Sequence, residues 1–220
     1  MAIALDATSS ISDAGFTNVG AGPAVWSHTC AAGAYLTVMI ETGNGDFVSG
    51  VTYNGVAMTQ GVKRAMTVGE AYVYYLANPS SGANDISVSL SSSESAFMGM
   101  GTSFTGVNQG APEATGTGSS TSTGLVSVTT VTDNDWLVGI FVTEAGSALT
   151  VGANTTQRKG NTGTAISVDT NAAQTPAGAK TMTATNGSGL IISAAITLQP
   201  AGAVASSTSS GSLLTMGVGN

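Results

Sequence analysis

Charge is what this sequence has least of. Only 8% of its 220 residues are charged, against roughly 25% in a typical soluble domain. Five are basic: Lys63, Arg64, Arg158, Lys159 and Lys180. A protein that neutralises phosphates needs basic stripes. With a net charge of −7, this chain is not expected to bind nucleic acid. Its single cysteine, Cys30, excludes an intrachain disulfide. Its single histidine, His28, is the only candidate base for a Ser-His-Asp triad. No apolar run reaches the roughly 20 residues that a membrane helix needs. The longest, "GLIISAAITL", reads as a buried strand, so no membrane partner is expected. The opening "MAIALDATSSISDAG" has no Lys or Arg and no long apolar run. The expectation is a chain made in a cytoplasm without a secretory signal.

What fills the gap is Gly, Ala, Ser, Thr and Val. Strong helix formers are scarce, and the composition suits strands joined by small-residue turns. Strand candidates follow one another: "AVWSHTC" (Ala24 to Cys30), "AYLTVMIET" (Ala34 to Thr42), "GVTYNGVAMTQ" (Gly50 to Gln60), "EAYVYYLAN" (Glu70 to Asn78), "ISVSLS" and "SAFMGMGTSFTGV" (Ser95 to Val107). Asn54-Gly55 is a hairpin signal, because both residues of the tight turn need positive φ. In "ISVSLS" the apolar Ile86, Val88 and Leu90 alternate with serines, as on a strand with one buried face.

The pattern then starts again. "LVSVTTV" (Leu125 to Val131) matches "AVWSHTC", and "DWLVGIFVTE" matches "AYLTVMIET". "TAISVDTNAA" stands where "EAYVYYLAN" stood, "TPAGAKTMTATN" where "SSGANDISVSLS" stood, and "GLIISAAITLQPAG" where "AFMGMGTSFTGVNQG" stood. The offsets drift by only a few residues: 136 − 35 = 101 for Trp136 and Tyr35, and 198 − 104 = 94 for Leu198 and Phe104. Arg158-Lys159 falls near the place of Lys63-Arg64. The expected fold is all-β: an antiparallel β-sandwich of jelly-roll type over residues 1–200. Its pseudo-repeated halves, about 1–107 and 125–200, share one core and are joined by a crossover loop at 108–124. The Ser-rich residues 201–220 read as a flexible C-terminal arm that orders against a neighbour.

No catalytic, cofactor-binding or metal-binding constellation emerges. His28 shares a strand face with Trp26 and Cys30, and no G-x-S-x-G accompanies it. His28 and Cys30 cannot supply the four ligands of a structural zinc. Glycoside hydrolysis needs two carboxyls flanking a bond. The candidates are Glu41 and Glu144 at matching strand ends, Asp133 and Asp135 around a turn, and Glu94 in a serine run. Glu41 and Glu144 are expected where strands emerge into solvent. "ETGNGDF" and "VTDNDW" are oxygen-rich, as calcium sites are, but lack EF-hand spacing. Tyr72 and Tyr74 share one strand face and Tyr75 the other, which makes core the expected place for most of them. Asn154 and Asn186 begin glycosylation sequons.

The segments "MAIALDATSS", "VWSHTCAAGAYLTV", "VTYNGVAMT", "YVYYLANPSSGANDISVSLSSS" and "SFTGVNQGAPE" resemble a β-sandwich family of bacteriophage virion proteins. The likeness covers about Met1 to Pro200 and rests on turn glycines, a corner proline and strand faces. The "DNDWLV" start of the second half and the Ser-rich tail depart from it. The resemblance implies a non-enzymatic virion component, either a head decoration protein or a fibre. It also implies homo-oligomers and a major capsid protein or other virion proteins as partners. The alternatives are a tail-fibre or adhesin module that binds a host glycan, and a hydrolase-associated extracellular domain.

Overall fold

The computed structural model describes residues 1–12, 16–43, 45–65, 69–144 and 148–202. These contain β-strands and no helix. The strands are β1 (Ala4–Ser10), β2 (Thr17–Val19), β3 (Ala24–Cys30), β4 (Tyr35–Thr42), β5 (Val48–Tyr53), β6 (Val56–Ala57), β7 (Thr59–Ala65) and β8 (Glu70–Ala77). They continue with β9 (Gly82–Leu90), β10 (Glu94–Thr105), β11 (Thr115–Thr130), β12 (Trp136–Thr143), β13 (Thr150–Val151), β14 (Thr156–Asn161), β15 (Ala165–Asp169) and β16 (Gly178–Leu198). The tight turn between β5 and β6 has Asn54 at φ 49° and Gly55 at φ 75°, the left-handed pair that a two-residue hairpin demands.

The strands form antiparallel sheets. One runs β1-β10-β4-β8-β7 with β2 also on β10, and a second runs β3-β9-β5-β6. A third runs β11-β16-β12-β15-β14 with β13 also on β16. The five-strand paths of the first and third run in the same order, although β2 and β13 hold different places in the chain. Tyr35 pairs with Phe104, and Trp136 pairs with Leu198.

Residues 115–124, expected as part of a crossover loop, are strand instead. Their composition is that of a linker, but their burial alternates with period two. Gly116, Gly118 and Ser120 turn inward and the threonines turn out. The β11–β16 ribbon folds back on itself where its register breaks, between Thr121 and Thr123, with Ser122 at φ 62°. A Cβ on Gly118 would lie 1.8 Å from the Leu125 carbonyl oxygen, so the doubled strand closes only over glycine.

Folding back creates layers. Between the first and second sheets lie Trp26, Val51, Ile86 and Val88 against Leu36, Ile40, Tyr72 and Phe97. Under the folded-back ribbon lie Val126, Val128 and Met182 against Leu137, Phe141 and Ile166. Between the first and third sheets lies a middle core of Tyr35, Met39, Val73, Met100 and Phe104 against Trp136, Ile140, Ile192 and Ile196. A single interior shared by both halves was expected. The structure has one interior per half and a further one that joins them. The edge strands also cross over: β7 lies on β11 and β16, and β14 lies on β1 and β10. Each crossing rests on a glycine, Gly61 against Ile196 and Gly160 against Met100. Of the expected C-terminal arm, residues from 203 onward lie outside the described residues.

Candidate functional sites

β3 turns Trp26, His28 and Cys30 inward and Val25, Ser27 and Thr29 outward, as its alternation predicts. The His28 ring sits between two serines, with Nδ1 2.8 Å from Ser9 Oγ and Nε2 3.0 Å from Ser103 Oγ. The partners fix the protons. The Asp6 carboxylate can only accept, and it takes the Ser103 hydroxyl at 2.8 Å. Ser103 must then accept from Nε2–H, which leaves Nδ1 to accept from Ser9. Trp26 Nε1–H closes the far end by donating to Ser9 Oγ at 3.1 Å. The ring is neutral: burial pushes its pKa down to about 4, against an upward pull from Asp6. A serine beside a histidine base is the beginning of nucleophilic machinery. Here Ser9 is half-buried, and both the His28 ring and the Trp26 indole engage its Oγ. The relay ties β1 and β10 of one sheet to β3 of the other.

The acids divide differently from the expectation. Glu144 is exposed. Glu41 is not at a solvent boundary: it is 1% exposed, and neither carboxyl oxygen has a hydrogen-bond partner. It shares the face of β4 that carries Met39 into the middle core. Burial, with the charge of Glu94 added, pushes Glu41 up to about 9, so it holds its proton at neutral pH. Glu94, isolated in sequence, is also fully buried. An acid beside a carboxylate resembles glycosidase chemistry, but packed side chains surround both. Asp133 accepts the Ala177 amide, and Asp135 is fully buried beside Glu113, which the sequence does not single out.

Among the described residues, no group of three or more His, Cys, Asp or Glu side chains converges. In "ETGNGDF", Asp46 pairs with Lys63 and accepts the Tyr72 hydroxyl at 2.7 Å, and Asn44 lies outside the described residues. The aligned basic pairs fall on β7 and β14, the matching edge strands. Arg158 forks onto buried Asp169 at 2.7 and 2.8 Å and also reaches Asn171. Tyr72 and Tyr74 are core, and Tyr75 stacks on Tyr35 at 5.8 Å. The sequon residue Asn186 is itself buried, its amide donating to Thr143. Asn154 is exposed, and its amide is engaged by Gln174 and Thr181.

What faces outward is chemically mild. β3 shows Val25, Ser27 and Thr29, and the folded-back half of β11 shows Leu125, Ser127 and Thr129. Val25 and Leu125 are each 45% exposed. Both strands are sheet edges among the described residues, so each offers unpaired backbone groups. A cavity of about 500 Å³ opens where residues 1–3 meet residues 200–202, lined by Met1, Ile3, Asp133, Trp136 and Pro200 among others. Compared with known families and curated proteins, the chain matches no family model and no curated relative.

Proposed function

We propose that this is a non-enzymatic structural protein of a bacteriophage virion, docking as a homo-oligomer on the head surface as a capsid decoration protein. We read residues 1–200 as one body of jelly-roll type β-sandwich, built from two pseudo-repeated halves. The observation that carries the reading is where the chemistry sits. The histidine and the buried acids are spent on holding layers together, while two matching edge strands present hydroxyls, methyls and open backbone. Such a surface docks on protein without removing ions from water. The resemblance in "VWSHTC", "VTYNG" and "SFTGVNQ" to virion proteins points the same way. A major capsid protein is the partner this reading requires.

The test is particle stability. Virions assembled without the protein should release their genome at milder heat or salt shock than complete ones, and adding purified protein back should restore resistance. Equal resistance with and without the protein would refute the decoration role.

A further inference from the structure

We propose that Asp135 and Glu113 share one proton, and that this proton fastens the connector between the two halves to the start of β12. Glu113 lies on the connector that leads from β10 into β11. Its carboxylate accepts four hydrogen bonds. Val131 N and Thr132 N reach Oε1 at 2.6 and 2.8 Å, while Thr132 Oγ1 and Gln199 Nε2 reach Oε2 at 2.9 and 2.6 Å. One carboxylate thus gathers the connector, the turn before β12 and the residue after β16.

Asp135 is the opposite case. It is 0% exposed, and neither of its oxygens receives an N–H or O–H. The neighbour it does meet is Glu113, itself an acceptor. Two carboxylates there would repel inside a packed interior. A proton on Asp135 turns the same contact into an O–H donated to Glu113, which removes the repulsion and gives the buried Asp135 a partner. The titratable groups acting on Asp135 are Glu113 and Asp133, both acidic. Burial, then Glu113, pushes Asp135 up to about 9. Against the upward pull of burial, the hydrogen bonds to Glu113 hold it down to about 2. The clasp is closed at neutral pH and opens in alkali, when the proton leaves and the connector is freed from the turn.

The test follows hydrogen exchange of the Val131 and Thr132 amides in the full chain from about pH 7 to pH 10, corrected for the intrinsic rise in base-catalysed rate. In the native protein their protection should fall about tenfold or more as the pair ionises. In Asp135→Asn, which keeps a donor that cannot titrate, protection should persist. Equal behaviour of the two proteins, or no loss in the native one, overturns the clasp. Carbon-13 carboxyl shifts of the native protein provide a check that needs no variant. One protonated and one ionised group at pH 7 supports the proposal, and two ionised groups overturn it.

Discussion

Phe141→Ala is the perturbation that best separates two independent halves from one cooperative body. Phe141 is fully buried beneath the folded-back ribbon of the second half, where it packs near Gly124. Removing the ring costs the lost transfer energy plus a cavity, about 3–5 kcal/mol for a site of this kind. Trp26 is buried in the outer core of the first half, two sheets away. Trp136 is in the middle core, edge-to-face with Phe104 at 6.0 Å. With Trp136 replaced by phenylalanine, fluorescence reports Trp26 alone. If the middle core couples the halves, Trp26 must feel damage it does not touch. With a urea slope of about 3 kcal/mol per molar, its midpoint should fall by about 1–1.7 M. A midpoint for Trp26 that stays put, while far-ultraviolet circular dichroism shows the second half melting early, would refute the coupling.

Three further outcomes follow from the buried groups. Glu41 ionises less readily folded than unfolded, so its contribution is full below about pH 4 and is lost as pH rises toward about 9. Glu41→Gln should therefore gain on the native protein between pH 5 and pH 8 in urea titrations, by at most about 1.4 kcal/mol per pH unit; parallel stability curves would contradict this. His28 is shifted the other way, so its contribution is full above about pH 6.5 and is lost as pH falls toward about 4. Nitrogen-15 spectra at neutral pH should place the proton on Nε2, and Ser103→Ala should cost about 1–3 kcal/mol; a proton on Nδ1 would break the relay as drawn. Gly118→Ala should cost several kcal/mol or prevent folding, because its Cβ meets the Leu125 carbonyl, whereas outward-facing Thr117→Ala should stay within about 0.5 kcal/mol; similar melting temperatures for the two would show that the doubled strand tolerates a side chain.

The strands announce themselves where period-two alternation is strong. "VWSHTC", "EAYVYYLAN" and "ISVSLS" all place their apolar residues on the faces their pattern predicts, and Asn54-Gly55 makes its turn. The strand at 115–124 was hidden because glycine and serine serve as its inward residues, so its alternation is one of size rather than polarity. Its demand comes from Leu125 and Ser127 folding onto it, a contact that no local pattern encodes. The acids were misread for a similar reason. A carboxyl is assumed to seek water, and burial, with the charge of Glu94 on the neighbouring β10 added, keeps Glu41 protonated. Glu113 and Asp135 lie 135 − 113 = 22 residues apart, with a strand and a turn between them. Ser9 and Ser103 reach His28 from two further strands, and neither carries a motif that marks it.

Cryo-microscopy of intact phage particles searched for this chain is the most direct test of the proposed virion role. Many copies arranged with the head's symmetry, seated on the major capsid protein, are the predicted result. Density for it only at the tail tip would mean an adhesin, and complete absence from the particle would contradict the account.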